Sequence, residues 1–385
     1  MNDTAIHQEM RFRCFAMAVC VLALITFAAP FSFAQQTDIH QLSYNNSFWS
    51  DQDLNSDGNP GSMAAFPTTP NEQAHVYYVD RNSLHIYQQF YNGVSWDSQD
   101  LTALTGGPLA YVSPVAGFSV GNFQYVYYVG NDSHVHQMLY NNVSWKDSDI
   151  SAKSKTRALT LLNTNIIAFT TTPALHVYYV DTNNNIRQLF SPDGTSWQDE
   201  ALTNFNQPPV APILTAGFNI GNLQYVYWRD ENAGDTYQLS YNNSTWSDTD
   251  LTQLIKTPFF LGIYAALVIP GTQDIRLYSF NLKNGHVVQL SSPNNGKWSV
   301  TDLTQKSKAP IGPFGDTGLM AFATTPNNEL HVFYTYQSQI YQIYQNTPST
   351  WAFDNITQLG NGAFSDGFLI GYSVQNLQYV FYEAP

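Results

Sequence analysis

Hydrophobic positions along this chain alternate in short runs, and beyond residue 34 they never settle into a long stripe of 3.6-residue period. Val76-Tyr77-Tyr78-Val79, Val126-Tyr127-Tyr128-Val129 and Val177-Tyr178-Tyr179-Val180 are β-branched and aromatic throughout. Turn clusters bound such runs, among them Asp181-Thr182-Asn183-Asn184-Asn185 and Pro192-Asp193-Gly194. This pattern predicts strands joined by tight turns and no substantial helix.

The stretch from Asn165 to Thr203 shows one complete unit. It holds a small-residue apolar run, an HVYYV-type run, an Asx/Gly turn, a run centred on Ile-x-Gln-Leu, and Ser/Thr-Trp followed by Leu-Thr. Aligned on tryptophan, seven copies appear, at Trp49, Trp96, Trp145, Trp197, Trp246, Trp298 and Trp351, spaced 47, 49, 52, 49, 52 and 53 residues apart. A period of about 40–50 residues is the length of a four-stranded propeller blade.

The ends carry the topology. Ile39 to Leu54 is only the second half of a unit, and Ser365 to Tyr382 is only a first half. Together they make one, and a ring closed in this way protects edges that an open array would expose. The expected fold is therefore all-β: a seven-bladed β-propeller of four-stranded antiparallel blades. Residues 55–364 supply six blades, and 365–385 plus 39–54 share the seventh.

A second periodicity lies on the first. Units opening with a Thr-Thr-Pro segment (Pro67 to Pro70, Thr170 to Pro173, Thr324 to Pro326) are followed by units carrying Gly117-Phe118, Gly217-Phe218 and Gly371-Tyr372. Duplication of a two-blade pair explains this, with the unit around Arg276 as the odd one out.

Composition adds location and excludes some partners. Arg11 and Arg13 precede an apolar stretch from Cys14 to Phe33, and Ser32-Phe33-Ala34 offers a small-x-small cleavage site, so residues 1–34 are expected to be a signal peptide and the protein secreted. An uncleaved anchor is the alternative, since the run is near the minimum spanning length. Both cysteines, Cys14 and Cys20, lie in that segment, which removes Cys-based catalysis from the mature chain. The net charge of −14 argues against nucleic-acid or anionic-membrane binding, and no membrane insertion is expected after cleavage. Charged residues are only 11% of the chain against 15% aromatics, so much of the polar surface is Asn, Gln, Ser, Thr and Tyr.

Several motifs suggest chemistry and are outweighed by structural readings. Gly117-Phe118-Ser119-Val120-Gly121 matches a hydrolase nucleophile elbow, but the equivalent Gly217-Phe218-Asn219-Ile220-Gly221 has no serine and no strand-to-helix turn is expected there. Asp53-Leu54-Asn55-Ser56-Asp57-Gly58 opens like a calcium loop, yet Ala64 stands where a bidentate Glu is wanted. His134-x-His136 puts two imidazoles on one strand face, without an acid at ligand spacing in the sequence. Ser191-Pro192-Asp193-Gly194-Thr195-Ser196-Trp197 partly resembles the Asp-box turn of sialidases, which is structural there. The acid four residues after Trp (Asp53, Asp100, Asp149, Asp250, Asp302, with Asn355 in the sixth unit) is expected to accept backbone hydrogen bonds at a turn. No catalytic residue, cofactor or metal is therefore expected.

The informative constellation is in the third strand. A glutamine stands eight or nine residues before each Trp: Gln41, Gln88, Gln137, Gln188, Gln238, Gln289 and Gln342. Tyrosine stands five residues before it at Tyr44, Tyr91, Tyr140 and Tyr241. An amide matches sugar hydroxyls while a flat ring covers the apolar C–H face. The alternative is that glutamine ties blades together and Trp/Tyr fill the wedge between them.

The Ile-x-Gln-Leu, Tyr-Asn-Gly/Asn and Ser-Trp pattern after a VYY strand resembles the fucose-binding propeller lectins of the mushroom Aleuria type and seven-bladed bacterial relatives. That resemblance implies pockets between blades, with an arginine just before the VYY segment, a glutamate on the next strand, and aromatics near the Trp of the adjacent blade. Here the arginine position holds Arg276 once, His75, His176 and His331 in three units, and Tyr125, Tyr225 and Tyr379 in the rest; the glutamate position is glutamine throughout. The implied ligand sets are His75, Gln88, Tyr140 and Trp145; His176, Gln188, Tyr241 and Trp246; His331, Gln342, Tyr44 and Trp49 across the closure; and an incomplete fourth of Arg276, Gln289 and Trp351. Charge-assisted bonds, about twice as strong, give way to neutral ones.

The expected function is a multivalent carbohydrate-binding protein whose partners are glycans or glycoconjugates, with fucose or a related monosaccharide held between blades. Two alternatives come from other classes: a protein-interaction scaffold that has lost its sugars, and a glycan-processing enzyme, disfavoured by the lack of a unique acid/base cluster.

Overall fold

A computed structural model describes residues 37–70, 72–111, 114–154, 159–160, 165–202, 212–256, 265–281, 283–310, 318–347, 349–365 and 367–385. The expected signal segment, 1–34, lies outside them. Seven four-stranded antiparallel sheets form a ring of blades. In chain order the first six blades run over residues 60–100, 116–149, 167–201, 212–250, 265–302 and 319–355. The seventh joins strands Leu369–Val374 and Leu377–Ala384 to strands Asp38–Tyr44 and Trp49–Asp53. Within it, Asp38–Tyr44 pairs antiparallel with Leu377–Ala384, with Ile39 opposite Glu383 and Tyr44 opposite Gln378. The first strands of successive blades touch all the way round, including that of the seventh against that of the first. Sevenfold closure through the termini is thus observed as expected.

The VYYV runs form the second strand of each blade, and their continuous apolar character has a geometric cause. Alternate side chains of a strand point to opposite faces. In a ring both faces of a blade are covered, so both alternations are buried. Tyr77 and Val79 join Val126 and Tyr128 of the second blade in one core cluster. Val76 and Tyr78 join Phe381 and Tyr372 of the seventh in another. Seven such clusters, one per boundary, replace a single central core. Each fully buried ring of this kind is worth about 1.5–3 kcal/mol.

The alternation of unit types is an interlock between blades. A Cβ on Gly117 would stand 2.6 Å from Phe66 Cε1, one on Gly217 2.8 Å from Ile167 Cγ2, and one on Gly371 2.7 Å from Met320 Cε, each in the preceding blade. The first strands converge toward the axis, and glycine is what lets the neighbour's side chain in. Ser119 of the elbow-like motif lies mid-strand in Ala116–Val120 and donates to Pro67 O at 2.7 Å; Ser373 does the same to Ala323 O at 2.9 Å. Both hydroxyls serve as ties between blades.

After five of the seven tryptophans, the Asp or Asn four residues on caps a one-turn helix that leads to the next blade. Asp100, Asp149, Asp250, Asp302 and Asn355 accept from the N–H of Ala103, Ala152, Gln253, Gln305 and Gln358 through Oδ1. The Thr or Ser that follows accepts a third-strand N–H, as Thr102 does from Ile86 at 2.9 Å. These short helices, Leu101–Thr105, Ile150–Lys153, Leu251–Ile255, Leu303–Ser307 and Ile356–Gly360, occupy one end of the ring. The Thr-Thr-Pro turns and the turns before each Trp lie at the other, because antiparallel strands return every second turn to the same end.

Candidate ligand site

The three His-bearing sets come together, each across one boundary between blades. In the first, Gln88 Nε2 is 2.9 Å from His75 Nδ1, 3.0 Å from Tyr77 Oη and 2.9 Å from Gln124 Oε1 of the next blade. Tyr77 Oη also donates to Gln124 Oε1. In the second, Gln188 Nε2 is 2.7 Å from His176 Nδ1, 2.9 Å from Tyr178 Oη and 2.9 Å from Gln224 Oε1. In the third, across the closure, Gln342 Nε2 is 2.6 Å from His331 Nδ1 and 2.8 Å from Gln378 Oε1, and Phe333 stands where the other sets have tyrosine.

The aromatic partners sit over these networks with equal regularity. Trp145 meets Tyr77 edge-on at 6.1 Å, Trp246 meets Tyr178 at 6.1 Å and Trp49 meets Phe333 at 6.1 Å. Tyr140, Tyr241 and Tyr44 lie 5.5, 5.3 and 5.4 Å from their tryptophans. The three tyrosines are half-buried, as are Trp145 and Trp246, while Trp49 is buried. Each tryptophan therefore fills the wedge between blades, and the adjoining tyrosine keeps part of its surface toward solvent.

The polar groups beneath are closed in. His75, His176, His331 and the three glutamines Gln88, Gln188 and Gln342 are all buried. Burial disfavours the imidazolium and pushes all three imidazoles down to about 4. They are neutral, and because Nδ1 accepts from glutamine, Nε2 carries the proton. Thr68 Oγ1 is 3.5 Å from His75 Nε2 and Thr171 Oγ1 is 2.8 Å from His176 Nε2. His331 Nε2 has no hydrogen-bond partner; the Glu329 carboxylate is 3.9 Å away, with a half-exposed side chain.

The fourth set does not assemble in the same way. Arg276 donates to Ile275 O at 3.0 Å and to Asp274 Oδ2 at 3.3 Å, so its guanidinium turns back onto its own strand and turn. Gln289 bonds Tyr278 Oη at 3.1 Å, and Trp351 packs on the cluster that holds Tyr278. Leu330 stands where the bridging glutamine would be.

Sequence reasoning missed that bridging glutamine. Gln124, Gln224 and Gln378 stand three residues before the strand's central ring in the three Gly-Phe/Tyr units, within Gln-Tyr-Val-Tyr/Phe, and Ala74, Leu175, Ile275 and Leu330 replace them elsewhere. The signal was in the repeat, one position from those compared with the arginine. The expectation that no acid lies near His134-x-His136 is also corrected. Asp149 Oδ2 is 2.6 Å from His134 Nδ1, Asp147 Oδ2 is 3.0 Å from His136 Nδ1 and Asp132 Oδ2 is 3.2 Å from His136 Nε2. Two of these acids come from the strand paired with the histidines, which linear spacing does not reveal.

Among solved structures, the fold resembles the fungal lectin of Aleuria aurantia, described as a six-bladed β-propeller with a novel fucose recognition mode, at 16% identity and TM-score 0.51 over 76% of this chain and 93% of that one. It also resembles AofleA from Arthrobotrys oligospora, at 12% identity and TM-score 0.50 over 90% and 92%. A candidate 6-phosphogluconolactonase from Bacteroides uniformis follows at 13% identity and 0.49 over 83% and 95%, a score too low to bear on function. No protein-family model and no curated protein matches the sequence. The structural neighbours are thus fucose-binding and related propeller lectins, the kinship in sequence is distant, and the ring here has seven blades.

Proposed function

We propose that this is an exported, non-catalytic, multivalent glycan-binding propeller that recognises fucose or a related monosaccharide at the boundaries between blades. The observation that supports it is the threefold recurrence of one arrangement, a His–Gln–Gln network beneath a Tyr–Trp pair, at three of seven boundaries. A packing device required by the ring would recur at all seven. Neutral hydrogen bonds make each site weak, and presentation of three on one end of the ring raises avidity by about 10²–10⁴.

The closure boundary is the best site. There His331 carries an unsatisfied N–H beside the Glu329 carboxylate, at a cost of about 1–3 kcal/mol. A sugar hydroxyl inserted between them accepts from the imidazole and donates to the carboxylate. Calorimetric titration with L-fucose and a panel of monosaccharides tests the proposal, and absence of heat up to tens of millimolar sugar, with no capture by immobilised glycoconjugates, rejects it.

A second reading, a protein-interaction scaffold, is favoured by one observation. In the first two sets Thr68 and Thr171 already occupy the imidazole N–H, leaving less for a sugar to satisfy. A purified protein partner whose binding is indifferent to free sugars would support it.

A further inference from the structure

At the helix-bearing end of the second blade, Asp132, His134 and Asp149 each present one ligand atom, all within 4.8 Å of one another. Their surroundings orient them. Asp132 Oδ1 accepts the His134 backbone N–H at 3.1 Å, and His136, held by Asp147 at 3.0 Å, reaches Asp132 Oδ2 at 3.2 Å. His136 is buried, whereas Asp132 is exposed. The ring supplies its own controls. His85 with Asp100 at 2.7 Å and His286 with Asp302 at 2.7 Å repeat the His134–Asp149 pair in the first and fifth blades. There Ser83 and Asn284 replace Asp132 in accepting the histidine N–H, and Tyr87 and Val288 replace His136. A pair that only anchors the capped turn needs neither the extra carboxylate nor the extra imidazole, so the second blade has added both to a finished structural unit.

We propose that Asp132, His134 and Asp149 bind a divalent first-row transition-metal ion, with His136 and Asp147 as positioning residues for Asp132. One imidazole and two carboxylates suit zinc and its neighbours better than calcium, which takes oxygen alone, or copper(I), which prefers sulfur. Ligand atoms on a tetrahedral ion with bonds of about 2.0–2.1 Å stand roughly 3.3 Å apart, so the widest separation closes by about 1.5 Å or less on binding, while an ion held by His134 Nδ1 and Asp149 Oδ2 replaces the proton they share at 2.6 Å. A buried histidine that donates to a ligating carboxylate is how metal sites fix their ligands from behind.

The test is titration of the metal-stripped full chain with zinc chloride at neutral pH, by calorimetry and by the shift in melting temperature. One ion per chain is expected. Asp132→Asn, which keeps the acceptor for the His134 N–H and the fold, weakens binding at least tenfold and abolishes the melting shift, and His136→Phe weakens it about 10–100-fold. His85→Gln leaves binding unchanged. The proposal is overturned by absence of zinc binding at millimolar concentration, by equal binding in wild type and Asp132→Asn, by loss of binding in His85→Gln, or by binding of calcium in place of zinc. Should Asp132→Asn fail to fold, His134→Asn is read in its place with the same expectations.

Discussion

Gln88 Nε2 lies 2.9 Å from Gln124 Oε1 across the boundary between the first two blades, and both amides are buried. Tyr77 Oη donates to the same oxygen, so a single acceptor on one blade satisfies two donors on the other. Gln124→Leu copies the apolar residue found at other boundaries, as at Leu175 and Ile275. It strands a buried hydroxyl and costs about 1–3 kcal/mol in urea unfolding. Gln88 keeps His75 Nδ1 and Tyr77 Oη as acceptors in that variant, so adding Gln88→Leu leaves the buried His75 Nδ1 without a donor and is expected to deepen the loss. Equal stability of Gln124→Leu and wild type would mean that the amide pair does not hold the blades together.

The buried imidazoles make the ring acid-sensitive. For His75, His176 and His331 the folded value is about 4, against about 6.5 in the unfolded chain. Between those values the unfolded state binds more protons, so stability is unaffected above pH 6.5 and falls as pH drops toward 4. Each contributes on the order of 3 kcal/mol to the loss. His40 and His136 act in the opposite sense. Burial opposes their charged form, but hydrogen bonds to Asp51 and Asp147 outweigh it and their values are raised, so their stabilisation is present at low pH and lost as pH rises through them. Three lowered groups outweigh two raised ones, and the midpoint of unfolding is expected to fall steeply from pH 6.5 to 4.5. His176→Gln flattens that slope, whereas an unchanged profile would place His176 outside the acid response.

Blade count, closure and the capped turns were legible because each depends on a local signal that the repeat carries through most or all of its units. The tryptophan period, the half-units at the ends and the acid after Trp need no knowledge of what touches what. The site was legible in part. His75, Gln88, Tyr140 and Trp145 converge because repeat position dictates the strand, and strand position dictates the boundary. Gln124 was hidden because its role depends on the neighbouring blade, and the same holds for Asp147 and Asp149 beside the two histidines. Thr68 against His75 and the unfilled N–H of His331 follow from turn geometry that no period encodes.

Closure of the ring carries its own ion pair. Arg81 of the first blade donates to Glu383 of the seventh at 2.7 Å, and the carboxylate side is 1% exposed whereas the guanidinium is 43% exposed. Water reaches the arginine, so the pair is worth less than a fully buried one, and Arg81→Met is expected to cost about 1–3 kcal/mol. Removal of residues 37–54 does more. It strips strand Leu377–Ala384 of one of its two partners and bares a full edge of hydrogen-bonding groups, for which dimerisation or aggregation in size-exclusion chromatography is the expected outcome. A monomeric, cooperatively folding truncation would show that the ring does not depend on the shared blade.

The three boundaries differ in what they leave for a ligand, and that difference predicts unequal sites. Tyr44, Tyr140 and Tyr241 are equivalent half-buried rings at the ends of third strands, each beside its tryptophan, so truncating any one to alanine perturbs folding to a similar, small extent. Their effects on sugar binding should diverge. Only the boundary beneath Tyr44 offers a free imidazole N–H together with a carboxylate, and a ligand that supplies the missing bond gains about 1–3 kcal/mol over one that meets the filled positions at Thr68 and Thr171. In a monosaccharide titration, Tyr44→Ala is expected to remove the tightest class of site, while Tyr140→Ala and Tyr241→Ala reduce only the weaker ones. Equal losses from all three would mean that the unfilled N–H of His331 plays no part in recognition and that the aromatic faces alone set the affinity.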